Sequence, residues 1–203
     1  RPQDFLVVAG LAGTAQELTA ITKDAPNVFG LGGAMGAALM MGLGLALAQP
    51  KRRVLCITGD AELLMNLGAL ATAALMNPPN LTIICVDNGH YGETGMQVTH
   101  TRLGADLAGM AKAAGFGATK MVYTTAELKT WIPKIYGAGP VFVDVKVSTE
   151  RSVSPSQIPP TLFKRRASAQ SSMISPRMAS MPPAFSSASR LTSMQPPAAA
   201  AIA

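Results

Sequence analysis

Two oxygen-bearing residues, Asp60 and Asn88, stand 28 positions apart (88 − 60), and each follows closely on an apolar run. The first run is Arg52–Thr58 (RRVLCIT), followed by Gly59-Asp60-Ala61; the second is Leu81–Asp87 (LTIICVD), followed by Asn88-Gly89. Both read as strands buried on two faces. Between them, Glu62 to Met76 has helical spacing and stops at Asn77-Pro78-Pro79, where proline cannot continue a helix. A strand, a crossover helix and a second parallel strand need about 30 residues. The offset therefore brings both side chains to the carboxyl edge of one sheet, where open α/β sheets bind ligands.

Hard oxygen donors of this kind suit Mg²⁺, which takes one or two protein carboxylates and completes an octahedron with phosphate oxygens and water. Asp60 supplies charge, the Asn88 amide supplies a second oxygen, and a backbone carbonyl of the Gly89–His90 turn can supply a third. The first turn of the helix after Asp60 presents N–H groups without intrahelical partners, which favour an anion. Taken singly, Asp60 suits a helix N-cap and Asp87-Asn88-Gly89 an ordinary turn. Their pairing one βαβ unit apart carries the metal–diphosphate reading.

The elements that must position this pair alternate between strand and helix patterns. Phe5–Gly10 is a short apolar run, and Thr14 to Ile21 reads as a helix capped by Thr14. Asn88 to about Gly104 is a polar, glycine-punctuated loop, and Asp106–Ala114 is helical. Ala118–Thr124 reads as a strand, Ala126–Tyr136 as a helix, and Val141–Val147 as an alternating strand. The fold class expected is α/β, a three-layer sandwich with a mostly parallel sheet over residues 1–150.

Val28 to Ala48 has 21 residues without a charge, followed by Lys51-Arg52-Arg53, which matches a membrane span in length and flank. Glycines at 30, 32, 33 and 36 favour a turn at its front. The remaining helix, Met35–Ala48, reaches about 21 Å, short of the ~30 Å hydrocarbon core, so a buried core helix and no membrane association are expected.

Composition divides the chain. Residues 1–150 carry 11 Lys and Arg against 11 Asp and Glu, so the net charge of +6 belongs to residues 151–203. The high basicity therefore says nothing of a nucleic-acid partner for the body. Residues 151–203 hold 12 Ser, 8 Pro and 10 Ala without apolar periodicity, and are expected to be a disordered tail. Cys56 and Cys85 lie inside apolar runs with no CxxC spacing, and buried thiols suit a reducing, cytoplasmic setting.

The stretch GDAELLMNLGALAT…NLTIICVDNGHYGETGMQ resembles the cofactor-binding domain of thiamine-diphosphate enzymes, whose pattern is Gly-Asp-Gly, roughly 25–30 residues, then Asn-Asn. It looks most like the sulfopyruvate and phosphonopyruvate decarboxylase group, and the likeness covers about residues 4–148. It implies thiamine diphosphate and Mg²⁺ as cofactors. By position, Asp60, Asn88 and the His90 carbonyl would hold the metal, and Gly59, Ala61, Glu62, Tyr91 and Gly92 would surround the diphosphate. The Gly33 carbonyl would accept a bond from the aminopyrimidine, and Met35 would wedge under the bent cofactor. Two positions depart from the pattern: Ala61 replaces a glycine, and Asp87 replaces the first asparagine. Were a left-handed backbone needed at Ala61, alanine would cost roughly 1 kcal/mol or more.

His100 lies on a loop able to close over the reacting centre, and an imidazole suits acid/base work near neutral pH. Glu93 is a comparable candidate, and Thr94 and Gln97 are candidates for contacting substrate. The resemblance also implies a glutamate that activates the cofactor from a pyrimidine domain, and none of the five glutamates matches it. The expectation is half of an active site, completed by a partner subunit or a further domain in an oligomer. The reaction expected is decarboxylation of a small 2-oxo acid. Acetolactate-type ligation, aldehyde oxidation and a non-catalytic Mg²⁺–diphosphate module are the competing readings.

Overall fold

The computed structural model describes residues 4–11 and 13–149; the expected disordered tail, 151–203, lies outside the described residues. The chain runs β1 (Phe5–Ala9), α1 (Gly13–Thr22), β2 (Val28–Gly30), α2 (Ala38–Ala48), β3 (Arg53–Gly59), α3 (Asp60–Leu64), α4 (Gly68–Met76) and β4 (Leu81–Asp87). It continues with β5 (His90–Tyr91), β6 (Gln97–Val98), a 3₁₀ turn (His100–Leu103), α5 (Leu107–Ala114), β7 (Ala118–Val122), α6 (Thr125–Ile135) and β8 (Val141–Lys146). Among the described residues, six strands form one sheet in the order β2-β1-β3-β4-β8-β7, and every pairing in it is parallel. β5 and β6 pair separately as a short antiparallel ribbon.

Parallel strands need crossovers, and the helices that make them cover both faces of the sheet. One face packs Val54, Cys56, Ile83, Cys85 and Phe142 against Leu39 and Leu43 of α2, Leu70 of α4 and Leu107 of α5. The other packs Val7, Leu55, Ile84 and Val143 against Leu18 of α1 and Trp131 and Ile135 of α6. The expected three-layer α/β class is therefore what the chain forms. No helix of the described residues is long and apolar enough to cross a membrane.

Local signals start and stop these helices. Asp106 caps α5 by accepting from Gly109 N at 2.8 Å, and Thr124 with Glu127 forms a reciprocal capping box on α6. α2 has no charge at either end; the Asn80 amide donates instead to Ala46 O, Gln49 O and Arg52 O at its carboxyl end.

Several expected boundaries are corrected. The helix over Glu62–Met76 is two helices. Asn66 breaks it, donating its side-chain amide to Gly36 O at 3.0 Å, while Met65 N and Asn66 N reach only the carbonyls three residues back. α2 begins at Ala38 rather than Met35, because Gly36 takes a positive φ and turns the chain. Thr14 is not a cap: it lies inside α1 and donates its hydroxyl to Leu11 O. The expected alternation of β8 fails over Val141–Asp144, all buried, because the strand lies inside the sheet between β4 and β7. The loop after Asn88 contains the β5–β6 ribbon and the 3₁₀ turn.

Strand order places the functional edge. From β1 the chain crosses outward to β2, then returns over the opposite face to β3 on the other side of β1. Such a reversal opens a crevice above the carboxyl ends of the two central strands.

Candidate functional site

A cavity of about 490 Å³ opens at that edge, within the range of small-molecule and cofactor sites. Its wall takes Leu11 from the loop after β1, Gly13 and Thr14 from the start of α1, Gly59 from the end of β3, Asp60 to Glu62 from the first turn of α3, and Asn88 just after β4. Gly59 pairs with Val86 in the ladder, so Asp60 stands beside Asp87 and Asn88 follows one residue on. The two residues singled out by spacing thus meet at one cavity.

Of the other residues expected here, Met35, His90, Tyr91, Gly92, Glu93 and Thr94 also line it. Gly33, Gln97 and His100 are not among its lining residues. His100 is exposed on the 3₁₀ turn. Gln97 is tied to its own ribbon, accepting from the Thr94 hydroxyl and donating to Thr94 O.

Asp60 is only 2% exposed and opens α3. Its Oδ2 accepts from the Thr99 hydroxyl at 2.6 Å, and the Thr101 hydroxyl lies 3.0 Å from the same oxygen. Burial raises its pKa, Thr99 opposes this, and the nearby Asp87 raises it further. A carboxylate so short of positive charge is suited to a cation. Asn88 Oδ1 accepts from His90 N at 2.9 Å, which folds the turn, and a carboxamide oxygen keeps a second lone pair. The His90 ring is held back as well, with Nδ1 2.8 Å from Asn88 O.

Among the described residues there is no group of three His, Cys, Asp or Glu side chains able to hold a metal. The oxygen set on offer is one carboxylate, one carboxamide and a backbone carbonyl, which leaves positions for phosphate and water, as Mg²⁺ prefers. These residues fit a Mg²⁺–diphosphate. Ala61 is helical and not among the residues with positive φ, so the departure from glycine carries no backbone strain.

Glu62 behaves differently from a simple diphosphate contact. Its carboxylate turns to the β1–α1 loop, where Oε2 accepts from Leu11 N and the Thr58 hydroxyl, both at 3.1 Å, and Oε1 has no partner. Its place in the first turn of α3 still puts its N–H among those free for an anion.

Spacing did not reveal a second layer behind Asp60. Thr101 reaches Asp87 Oδ1 at 2.8 Å as well as Asp60, and Asp87 Oδ1 also accepts from Gly89 N at 2.8 Å. Lys146 of β8 bonds Asp87 Oδ2, and its Nζ lies 3.3 Å from Asp144 Oδ2. The available signal was VFVDVKV, where Asp144 and Lys146 interrupt an apolar strand on one face.

Asp144 is fully buried, with the Lys146 ammonium 3.3 Å from its Oδ2. Burial, then Asp87, raises its pKa from 3.8 to about 6. A carboxyl that holds its proton more tightly in the folded chain favours folding at low pH, and that contribution is lost as pH rises through about 6. Asp144→Asn should therefore gain stability relative to the parent chain between about pH 4 and pH 7. Urea midpoints of both chains across this window test it; a constant difference would refute it.

The family described as thiamine pyrophosphate enzyme, C-terminal TPP binding domain, matches residues 11–145. Over 145 residues the chain is 40% identical to the sulfopyruvate decarboxylase subunit beta of Methanothermobacter thermautotrophicus, covering 71% of this chain and 75% of that one. It is 39% identical over 117 residues to the phosphonopyruvate decarboxylase of Streptomyces viridochromogenes, spanning 58% of this chain but only 29% of that protein. Among solved structures, the thiamine diphosphate-dependent 4-hydroxybenzoylformate decarboxylase of Rhodococcus jostii RHA1 shares the fold, with a TM-score of 0.56 at 22% identity over 74% of this chain and 31% of that one.

Proposed function

Because the chain belongs to the thiamine pyrophosphate enzymes, as their C-terminal TPP-binding domain, we propose that it is the cofactor-binding subunit of a decarboxylase acting on a small acidic 2-oxo acid of the sulfopyruvate type. The observation that carries this reading is the convergence of Asp60 and Asn88 on one cavity at the ends of neighbouring strands.

When bound, thiamine diphosphate supplies a nucleophilic carbon for the 2-oxo group and an electron sink for the departing CO₂. The chain's own residues bind and orient. Thr99 and Thr101 converge on Oδ2 of Asp60, and the Asp60 carboxylate, the Asn88 amide oxygen and the His90 carbonyl would hold Mg²⁺. The first turn of α3 offers N–H groups to the diphosphate. Met35, Glu93 and Thr94 line the same cavity; Met35 would support the cofactor, and Glu93 and Thr94 would be available to the substrate.

The activating glutamate that the resemblance implies would come from a pyrimidine domain, on a partner subunit or elsewhere in the chain. Glu62 is committed to Leu11 and Thr58, and Glu127 to the cap of α6. A relative bears the name subunit beta, which supports a second subunit here. Neither α2 nor α4 carries a charge, yet Met40, Met41 and Leu47 of α2 and Leu75 and Met76 of α4 are exposed. Helices apolar all round are normally covered, and exposed apolar faces mark association surfaces.

Reconstitution tests the proposal. The chain alone should release CO₂ from sulfopyruvate at background rate, and addition of the pyrimidine-domain subunit should raise this at least about 100-fold, a gain in the range of acid–base activation. Met41→Glu on the uncharged face should reduce the recovered rate without lowering the melting temperature of the chain. Full activity of the chain by itself would overturn the partner requirement.

A further inference from the structure

We propose that Lys146 and Asp87 form a charge-balanced strut that holds the Asn88–His90 turn in position for the divalent cation, with Lys146 a positioning residue that does not itself touch the cofactor. The inference rests on the cation site proposed above and adds to it residues that the Asp60–Asn88 pattern does not contain.

Asp87 shapes that turn directly. Its Oδ1 accepts from Gly89 N, an Asx turn that sets the chain direction through Gly89, whose φ of +68° suits glycine. The same oxygen accepts from Thr101, whose hydroxyl also lies within bonding distance of Asp60 Oδ2. Asp87 is therefore linked both to the turn after β4 and, through a single hydroxyl, to the carboxylate after β3.

A carboxylate in that position is costly. Asp87 is 3% exposed, and Asp60 and Asp144 are buried beside it. An uncompensated buried charge destabilises strongly, whereas a paired and hydrogen-bonded one is tolerated. Lys146 provides the compensation. It faces Asp87 across the β4–β8 ladder, bonds Oδ2, and stands 3.3 Å from Asp144. Burial lowers its pKa, but the bond to Asp87 and the charge of Asp144 more than offset this and raise it. The backbone adds a further tie, Val147 N to Asp87 O at 2.9 Å. With Oδ2 occupied by the ammonium, Oδ1 remains for Gly89 and Thr101. Without the ammonium, a buried anion next to Asp60 and Asp144 would turn outward and release both.

Double substitution separates this role from a simple structural ion pair. The full-length chain is titrated with Mg²⁺ at saturating thiamine diphosphate, reading both melting temperature and the half-saturating Mg²⁺ concentration. Lys146→Met should raise that concentration about tenfold or more, the usual effect of losing an outer-shell partner. Lys146→Arg, which keeps the cation, should stay close to the parent value. Asp87→Asn alone should also weaken binding, because its amide would face the ammonium donor to donor. Asp87→Asn/Lys146→Met should bind Mg²⁺ better than either single variant, since asparagine still accepts from Gly89 and Thr101 and needs no counter-ion.

A Lys146→Met chain that melts lower with unchanged Mg²⁺ dependence would overturn the inference, leaving only an ion pair. So would a double variant weaker than Asp87→Asn, and that comparison decides the matter if Lys146→Met alone fails to fold. If the parent chain shows no joint response to Mg²⁺ and thiamine diphosphate, the cation site itself fails, a result distinct from either of these.

Discussion

Replacing Asp60 by alanine should abolish Mg²⁺-dependent binding of thiamine diphosphate while the chain stays folded. Asp60 would supply the only full negative charge among the three oxygens proposed for the cation, and a divalent ion held by a carboxamide and a carbonyl alone must compete with its own hydration shell. The expected loss of affinity is at least about 100-fold, the upper end of what even outer-shell changes produce. The apo fold should change little. The substitution removes a carboxylate whose burial and whose neighbour Asp87 both disfavour its charge, and Thr101 keeps Asp87 as acceptor. Melting with Mg²⁺ and cofactor, separately and together, measures both effects. In the parent chain, ligand at 100 times its dissociation constant should add about 2.7 kcal/mol. The alanine variant should show no such increment, and an equal rise in both chains would remove Asp60 from the site.

The second large effect is expected at Gly10, well outside the Gly-Asp pattern. A Cβ on Gly10 would lie 1.7 Å from Glu62 Oε2 and 2.7 Å from its Cδ. Glu62 has no easy retreat, because the same oxygen holds Leu11 N and the Thr58 hydroxyl. Gly10→Ala must therefore expel the carboxylate from its bonds and toward the cavity it lines. Losing hydrogen bonds to a buried charge costs about 3 kcal/mol, or roughly 6–12 °C in melting temperature for a domain of this size. The displaced charge would also repel a diphosphate. Gly10→Ala/Glu62→Ala should recover part of the stability, because nothing is left to collide, although Leu11 N and Thr58 lose their acceptor. Urea midpoints and a cofactor titration follow the two consequences independently. A Gly10→Ala chain with the parent midpoint would mean that Glu62 has room that the structure denies it.

These two positions differ in how they can be found. Asp60 announces itself: an acidic residue at the end of an apolar strand, one βαβ unit before a polar Asn-Gly turn. Gly10 does not, because its importance lies in a contact with Glu62, 52 positions away (62 − 10), and nothing local encodes that approach. The same holds for Thr99, Thr101 and Lys146. A threonine in a polar loop and a lysine near the end of a strand are ordinary residues until the ladder sets β8 beside β4 and the loop after β6 folds back over Asp60.

Periodicity in the sequence alone established the alternation of strands and helices, the α/β class and the shared edge of Asp60 and Asn88. Each of these depends on side-chain patterns within about one βαβ unit, and such patterns report which faces are buried. Only the tertiary structure decided the strand order, the break at Asn66, the retreat of Glu62 to Leu11, and the ammonium behind Asp87. Those depend on which distant backbone comes within a few ångströms of which side chain. Hydrogen bonds and charge pairing act at that range, and no spacing along the chain records it.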